Sequence, residues 1–411
     1  MKKKTIGFFN IEFPSEKPFT ESKTIRGGGA GKSLLDLIVH LNPKKYNIII
    51  FSVGTKNKTQ IEYVRQNLKL IRYPVIGRKL VEFLPINQNF IAPAFMCKPL
   101  EKKLDLIHCQ LGYHGAEIPA MLYKYIYNVP LVLSLRGVIN PSWANPFFKL
   151  FLTLYKKTNY RQIIKMADKI VIPSKSIFSK IKALSMASKT QEKVEIIPNG
   201  VNFQAFSKYY PQKHKHGKRT IPILDFSIER NNIIFLYVGS LSKRKGVHIL
   251  FKAFKSFTKE FNNAILILVG NGPLFSSISK ETQRKKLEER VLLTGYIKNK
   301  EVMAQIYAVS DLLILPSIGE GFSRVILESM AAGTPCLVSD TPANVEAIAE
   351  GTLGFIAERN PINIKEKMKE FMEIDQKSKS EMSKKCHQYA KTFDWKKNSI
   401  RMENIYDNLL S

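Results

Sequence analysis

Short apolar runs rich in β-branched residues alternate with helical segments along most of this 411-residue chain. Runs of this kind, bounded by turn residues, predict buried strands. Because strands that alternate with helices pair in parallel, each half of the chain predicts an α/β sheet covered by helices. The predicted strands are Thr5–Asn10, Asn47–Ser52, Leu104–His108, Leu131–Leu135, Lys169–Pro173, Glu195–Pro198, Ile233–Val238, Ala264–Val269, Val291–Thr294, Leu312–Leu315 and Pro335–Val338.

The length of the chain and the repetition of this pattern predict two domains, because one ordinary hydrophobic core does not fill a chain of this size. We place the first domain at residues 1–205 and the second at 233–392. Residues 206–232 carry His214 and His216 among prolines and lysines, with no clear period, and predict a linker or insertion. Parallel sheets bind ligands at the carboxyl ends of their strands, so two such domains predict a cleft between facing sites.

The cysteines and the apolar stretches indicate where the protein resides. Its four cysteines form no CxxC pair, which favours a reducing cytosol over a disulfide framework or a zinc site. The first ten residues are too weakly apolar for a signal peptide, and no apolar stretch approaches the roughly 18 residues that span a bilayer. We therefore expect a cytoplasmic protein that is not integral to a membrane.

The formal net charge of +30 is concentrated in the first half, where residues 1–210 hold 33 Lys and Arg against 12 Asp and Glu. Such a charge attracts anionic membrane, nucleic acid, or a phosphorylated lipid or glycan. It also fits a simple bias toward lysine that keeps the protein soluble. The basic, aromatic and leucine-rich segment Asn145–Asp168 either lies on an anionic bilayer at the inner face of the membrane or packs as an ordinary amphipathic helix.

Two glutamates eight residues apart follow the predicted strand Leu312–Leu315. Glu320 opens a predicted helix and Glu328 lies two turns further on, roughly 12 Å along the axis. Between them, residues 321–323 offer the free backbone N–H groups of a helix N-terminus, which suits a phosphate or diphosphate. Carboxylates accept hydrogen bonds from sugar hydroxyls. The order of these groups therefore predicts a ligand with a hexose, a diphosphate and a ribose.

The segment Pro316–Asp340, PSIGEGFSRVILESMAAGTPCLVSD, resembles the E-x7-E signature of the GT-B glycosyltransferases of family 4. Further matches follow in the family's order, at Ile196–Phe206, Val238–Gly246, Val269–Pro273 and Thr294–Ile297, so that the resemblance covers nearly the whole chain. It implies two Rossmann-like domains facing across a cleft, with a tail at 393–411 that crosses back to the first domain. It also implies sugar transfer with retention of configuration.

The resemblance assigns roles to individual residues. Glu320 is expected to hold hydroxyls of the donor sugar, Glu328 the ribose, and Lys245 the diphosphate. The predicted donor-binding residues are Gly28, Gly29, Gly239, Ser240, Arg244, Lys245, Gly272, Ile297, Glu320, Gly321, Phe322, Ser323 and Glu328. Glu320, Lys245 and Arg136 form the predicted catalytic set. Neither a metal nor another cofactor is expected, because the resemblance implies no DxD site.

Four residues depart from the family's pattern, among them Asn202, which stands where aspartate is usual. Ser240 stands where many relatives carry arginine, and Ser323 stands where many carry glycine. Arg136 ends a predicted strand where many relatives place a histidine near the transferred sugar. An arginine there either binds a phosphate with its permanent charge or forms a structural salt bridge.

The first half supplies the predicted acceptor side. The segment GGGAGKS at Gly27–Ser33 lacks the first glycine and the preceding strand of a P-loop, so an ATP site is disfavoured. In relatives this loop approaches the donor phosphates or the acceptor through its backbone, as glycine permits. His108 and His114 follow another strand and either contact the acceptor or are satisfied core residues.

The sequence thus favours transfer of a hexose from a UDP- or GDP-sugar to a glycan or lipid-linked acceptor, in envelope polysaccharide or glycolipid synthesis. Two alternatives remain open. A glycosidase that uses Glu320 and Glu328 would need carboxyl groups roughly 5–10 Å apart. A basic protein that binds membrane or nucleic acid without catalysis would fit the charge, although no nucleic-acid motif is present in the sequence.

Overall fold

The structure is a computed structural model that describes residues 2–9, 29–53, 59–73, 104–111, 116–136, 150, 153, 156–185, 188–210, 219–221, 226–229, 231–319 and 321–411. The chain divides into two compact units. The first unit comprises Met1–Pro198 and Asn398–Ser411, and the second comprises Asn199–Lys397. The chain therefore leaves the first unit at residue 198, where we expected 205, and rejoins it at residue 398, where we expected 393.

The first unit contains an eight-stranded sheet in the order β3-β4-β2-β1-β5-β6-β7-β8. All neighbouring strands pair in parallel except β3 and β4, which pair antiparallel. The strands are β1 Lys4–Phe9, β2 Tyr46–Val53, β3 Gln60–Arg65, β4 Leu68–Tyr73, β5 Leu106–Leu111, β6 Leu131–Leu135, β7 Lys169–Ile172 and β8 Val194–Ile196.

Strands β5 and β6 of the first unit are buried along their whole length, as expected for a parallel sheet that helices cover on both faces. The helices are α1 Gly29–His40, α2 Glu117–Tyr127, α3 Arg161–Met166, α4 Lys175–Ser185 and α13 Trp395–Leu410, of which α13 begins in the second unit and belongs to the first from Asn398 onward. Shorter turns lie at Lys156–Tyr160 and Ser188–Lys193.

The second unit contains a six-stranded parallel sheet in the order β13-β12-β11-β14-β15-β16. Both faces are buried, since Ile234 and Leu236 pack into one core while Phe235 and Tyr237 pack into another. This is the arrangement of a doubly wound sheet. The strands are β11 Ile233–Val238, β12 Ala264–Val269, β13 Val291–Gly295, β14 Leu312–Leu315, β15 Cys336–Ser339 and β16 Gly354–Ala357.

The helices of the second unit lie between its strands and after β16. They are α5 Phe203–Ser207, α6 Val247–Phe257, α7 Phe275–Arg284, α8 Lys300–Val309, α9 Arg324–Ala331, α10 Pro342–Ala347, α11 Pro361–Glu373 and α12 Gln376–Lys391, with a 3-10 turn at Ala349–Gly351. The predicted pair of Rossmann-like α/β domains is therefore confirmed.

The segment predicted as an irregular linker carries more structure than its sequence indicated. Strands β9 Arg219–Ile221 and β10 Phe226–Ile228 form an antiparallel pair. Arg219 fastens this pair to the second unit, because its Nη1 lies 2.7 Å from Asp311 Oδ2 and 3.1 Å from the Val309 carbonyl oxygen. His214 and His216 lie outside the described residues.

Candidate active site

The loops after four neighbouring strands of the second unit are joined by backbone hydrogen bonds at the carboxyl edge of the sheet. The Leu241 amide, after β11, donates to the Asn271 carbonyl, after β12, over 3.0 Å. The Gly270 amide, also after β12, donates over 2.8 Å to the carbonyl of Gly295, at the end of β13. The Ile318 amide, after β14, donates to the Arg244 carbonyl over 3.0 Å. The loops after β11, β12, β13 and β14 thus form one connected rim. It lies at the edge of the sheet where parallel sheets bind ligands.

Gly246 lies at a close contact between the loops after β11 and β14. It is the N-cap of α6 and has a φ of +75°, a left-handed conformation that glycine adopts without steric cost. A Cβ atom placed there would lie 2.0 Å from the Pro316 carbonyl oxygen. Lys245, the predicted catalytic lysine, precedes this contact directly, so its backbone position depends on the loop after β14.

We expect Gly246→Ala to destabilise the protein by about 2–5 kcal/mol, because left-handed strain adds to overpacking against Pro316. Gly319→Ala is a matched control, since Gly319 has a φ of +74° but an added Cβ would meet none of the described residues within 4 Å. Its cost should be only about 1–2 kcal/mol. Urea denaturation of both variants measures the difference, and equal losses would show that the Gly246–Pro316 contact is not tight.

The helix that carries Glu328 begins later than the sequence predicted. Helix α9 starts at Arg324, with Ser323 as its N-cap in an extended conformation, so the prediction of one helix running from residue 320 to Glu328 is wrong. Its free N-terminal amides accordingly belong to residues from Arg324 onward rather than to 321–323. Gly319 takes a left-handed φ, which a helix does not allow, and Asn199 donates to the Phe322 carbonyl from a distant part of the chain. Glu320 itself lies outside the described residues.

The carboxylate of Glu328 is fixed by two neighbours. Tyr307 Oη donates to its Oε2 over 3.0 Å, and Arg324 Nη2 donates to its Oε1 over 3.3 Å. The Glu328 side chain is only 14% exposed. Burial raises the pKa of the Tyr307 phenol well above its usual range, and the negative charge of Glu328 raises it further. The phenol therefore keeps its proton and remains a donor. Glu328 is thus held as an oriented hydrogen-bond acceptor beneath the rim.

Asn199 orients the peptide that leads into α9. Its Nδ2 donates to the Phe322 carbonyl over 2.6 Å. Since the C=O and N–H of a trans peptide point in opposite directions, this bond also fixes the direction of the Ser323 N–H. Phe322 and Ser323 are both buried. The approach to α9 is therefore set by a residue more than 100 positions away in the sequence.

Both halves of the chain match known glycosyltransferase families. Residues 224–393 match "Glycosyl transferases group 1", and residues 27–205 match "Glycosyltransferase Family 4". The chain is a family 4 glycosyltransferase. It is therefore a transferase enzyme, and the predicted family is confirmed.

Curated relatives of this glycosyltransferase resemble it over most of their length. The uncharacterized glycosyltransferase MJ1178 of Methanocaldococcus jannaschii is 24% identical over 383 residues, covering 93% of this chain and 95% of the relative. The alpha-monoglucosyldiacylglycerol synthase of Streptococcus pneumoniae is 22% identical over 342 residues, covering 82% of this chain and 73% of the relative.

Solved structures support the GT-B fold of the glycosyltransferase. Sucrose-phosphate synthase from Thermosynechococcus elongatus has a TM-score of 0.75 at 18% identity, with 99% of each chain covered. Anabaena HepE in complex with UDP and glucose has a TM-score of 0.67 at 18% identity, with 98% of this chain and 100% of that chain covered.

The predicted donor residues that are described in the second unit of this glycosyltransferase lie along the rim or next to it. Gly239, Ser240, Arg244 and Lys245 belong to the loop after β11. A Cβ on Gly272, after β12, would lie 2.6 Å from the Leu241 carbonyl oxygen. Ile297, after β13, is buried, and Gly321, Phe322 and Ser323 precede α9. The structure therefore brings the described donor residues of the second unit to one edge of its sheet, whereas Gly29 belongs to the first unit.

Several residues that support this edge were absent from the sequence-based set. Tyr307 and Arg324 fix Glu328, and Asn199 fixes the approach to α9. Beneath the loop after β14, Ser339 Oγ donates to the Ser317 carbonyl over 2.6 Å, and Asn344 Nδ2 donates to Ser339 Oγ over 3.0 Å. The i,i+4 spacing of Arg324 and Glu328 is a signal that the sequence offers, whereas the spacing of Tyr307 and Asn199 from their partners carries none.

His108 is a fully buried residue of the first unit. Its Nδ1 lies 2.5 Å from Tyr406 Oη of α13, and its Nε2 lies 2.6 Å from Ser134 Oγ of β6. Burial, aided by the charge of Arg136, lowers the pKa of His108 to about 3, so its ring is neutral at pH 7. Both ring nitrogens are engaged inside the unit, which leaves neither for an acceptor and matches the core alternative.

Arg136 follows β6 directly and is partly exposed at the carboxyl edge of the first sheet. Its charge lowers the pKa of His108, so the two groups are close in space. Gly29 is the first residue of α1. Gly28 and His114 lie outside the described residues. Of the two predicted acceptor residues that the structure describes, His108 is buried and Arg136 is partly exposed.

Glu117 is a buried carboxyl group at the start of α2. No part of it is exposed, and neither carboxylate oxygen has a hydrogen-bond partner among the described residues. Burial raises its pKa to about 8 from an ordinary value of 4.5. Because the folded state keeps the proton that the unfolded state loses, Glu117 makes the protein less stable as the pH rises from about 4.5 to about 8.

We expect Glu117→Gln to remove this pH dependence. The difference in free energy of unfolding, variant minus wild type, should increase by about 1.4 kcal/mol per pH unit between about pH 4.5 and 8. Above about pH 8 the difference should be constant. Urea denaturation from pH 4.5 to 9 measures this. Glu195→Gln, which changes an exposed carboxyl paired with Lys169 over 3.4 Å, is the control. Parallel curves for Glu117→Gln and wild type would contradict the prediction.

Within the described residues, no group of three or more His, Cys, Asp or Glu side chains could hold a metal ion. Of the helices in the described part of the chain, none is long and apolar enough to cross a bilayer. Metal independence and residence in the cytoplasm stay predictions.

Proposed function

We propose that the protein transfers a hexose from a UDP- or GDP-sugar, with retention of anomeric configuration and without a metal ion. The observation that carries this proposal is the connected rim of the second unit. It combines three consecutive basic residues, Lys243, Arg244 and Lys245, with the N-terminus of α9, where the Ser323 side chain forms no capping hydrogen bond, and with the oriented carboxylate of Glu328. A diphosphate flanked by two groups rich in hydroxyls fits this set of charges and donors.

Each part of the donor has a proposed partner. The N–H groups at the start of α9 bind the diphosphate, because a helix N-terminus favours anions. Glu328 accepts hydrogen bonds from the ribose hydroxyls, and Glu320 accepts those of the sugar. The base lies along the loop after β13, next to Ile297. Gly239, Ser240 and Gly272 let the backbone of the rim approach the ligand closely.

Breaking the bond between the sugar and the diphosphate leaves negative charge on the departing phosphate. Lys245 is proposed to stabilise that charge in the transition state, with Arg244 beside it. An interaction that strengthens as the charge develops accelerates the reaction, whereas uniform binding does not. Protein cations thereby supply the stabilisation that a metal supplies in other transferases.

The acceptor is proposed to be a glycan or a lipid-linked glycan that is bound by the first unit, with Arg136 at its phosphate. Support comes from the excess of basic residues in the first half of the chain and from the name of the relative that is an alpha-monoglucosyldiacylglycerol synthase. We propose accordingly that the enzyme acts in the cytoplasm, at the anionic inner face of the membrane, in polysaccharide or glycolipid synthesis.

A panel of UDP-sugars and GDP-sugars tests the proposal. One donor in excess should raise the melting temperature by an amount that follows its concentration over its dissociation constant. The same donor should then support turnover in the presence of EDTA, and NMR of the product should show the donor's anomeric configuration. Absence of binding by every member of the panel, or a product of inverted configuration, would contradict the proposal.

A further inference from the structure

Arg359 joins two loops of the rim through their backbone carbonyls. Its Nε donates to the Pro316 carbonyl over 3.0 Å, and its Nη2 donates to the Lys243 carbonyl over 2.8 Å. Pro316 starts the loop that leads from β14 toward Glu320, and Lys243 belongs to the loop that carries Lys245. A single guanidinium group therefore connects the two segments that are proposed to hold the diphosphate.

Hydrogen bonds fix the backbone next to Arg359. Arg359 lies between the edge strand β16 and helix α11. Asn360, the N-cap of α11, accepts a hydrogen bond from the Asn363 amide over 2.8 Å, and the Glu358 amide donates to Asn363 Oδ1 over 2.8 Å. The backbone on either side of Arg359 is thus fixed, which limits the positions that its side chain can reach.

Fixing a carbonyl also fixes the amide of the same peptide. In a trans peptide the C=O and N–H groups point in opposite directions, so Arg359 directs the N–H groups of Arg244 and Ser317 away from itself. The Ile318–Arg244 hydrogen bond and the close approach of Gly246 to Pro316 restrain the same two loops. Lys245 lies between Arg244 and Gly246, so the restraints on those two residues also restrain its backbone.

We propose that Arg359 is a positioning residue for sugar transfer, which keeps the loop carrying Lys245 aligned with the loop that leads to α9. The alignment lets both loops meet one diphosphate, while Arg359 itself contacts no substrate. Arginine suits this task because its planar fork donates to two carbonyls at once, whereas lysine presents a single ammonium group. The inference rests on the proposed function of the rim.

Arg290 provides a matched control. It also donates to backbone carbonyls, those of Ala264 and Thr258 at 3.2 Å each and that of Phe261 at 2.5 Å. Arg290 precedes β13 and Ala264 begins β12, so these bonds lie at the amino ends of the strands, opposite the rim. Arg290→Lys therefore removes a comparable set of carbonyl bonds in the same unit without touching the proposed diphosphate loops.

The test compares the affinity for UDP and GDP with the affinity for uridine and guanosine, by calorimetry on the full chain. Arg359→Lys and Arg359→Gln should weaken diphosphate binding by roughly tenfold or more, as expected when charged hydrogen bonds are lost, and change nucleoside binding by less than about threefold. Their donor KM should rise more than their kcat falls. Arg290→Lys should lower the stability and leave the ratio of diphosphate to nucleoside affinity unchanged.

An unchanged ratio in both Arg359 variants, or an equal change in Arg290→Lys, would overturn the positioning role while the proposed function stands. Arg359→Lys preserves the charge and much of the packing, so it remains informative if Arg359→Gln folds poorly. Failure of the wild type to bind either UDP or GDP would instead overturn the proposed function, and the role of Arg359 with it.

Discussion

Lys245→Ala lowers kcat by roughly a thousandfold in our account. An ammonium group about 4 Å from a phosphate charge contributes on the order of 4 kcal/mol at an effective dielectric constant of 20, and that energy reaches the rate if it is gained only in the transition state. The loop position of Lys245 fits this role, because the contact between Gly246 and Pro316 and the bridge through Arg359 restrain the backbone on both sides.

Initial rates with the preferred donor measure this effect. Lys252→Ala is the matched control, since Lys252 is an exposed lysine on α6, the helix that follows the same loop. It removes an equal charge and should change kcat by less than about threefold, because exposed charges away from the reacting atoms are screened. A kcat for Lys245→Ala within tenfold of the wild type would remove Lys245 from the catalytic set.

The two glutamates should fail in different ways when each is replaced with glutamine. Glu328→Gln should raise the donor KM by about 30-fold or more and change kcat less, because ribose binding is the same in the ground and transition states. The replacement also takes the charged partner from Arg324, whose Nη2 lies 3.3 Å from the carboxylate. Glu320→Gln should mainly lower kcat, by about 100-fold, since its proposed contacts are to the sugar that changes during transfer.

Steady-state kinetics of both variants with one donor separates these effects, and Glu346→Gln, a change at a nearby carboxyl on α10, is the control. Equal changes in kcat and KM for the two glutamates would contradict their separate roles. Hydrolysis of simple glycosides, unaffected by free UDP or GDP, would instead support the glycosidase alternative for the same pair of carboxylates.

The sheet framework was predictable from local sequence. Strands such as β11 and β12 are continuous apolar runs of six residues buried on both faces, so their boundaries appear directly in the pattern. Strands β3, β4 and β16 were not predicted. Strand β4 lies inside its sheet, but Lys69 and Arg72 interrupt its apolar run. An edge strand such as β3 alternates exposed and partly buried residues, which is a weaker signal over so short a run.

The candidate site was predictable in its sequence motifs but not in its supporting contacts. The motif placed Glu328 and the residues before α9 at a strand end, and the structure agrees. The start of α9 was misplaced because the residues before it are held by non-local bonds, from the Ile318 amide to the Arg244 carbonyl and from Asn199 to the Phe322 carbonyl. Arg359 and Asn199 bond to carbonyls more than 100 positions away, so no local pattern could reveal them.

Hydrogen–deuterium exchange with and without saturating UDP or GDP tests the central claim most directly. Our account predicts that the nucleotide slows exchange in residues 239–246, 270–274, 295–299 and 316–326, the loops at the carboxyl edge of the second sheet. Lys245→Ala should reduce this protection at equal ligand concentration. Protection confined to the first unit, or to the amino ends of the second unit's strands, would contradict the account.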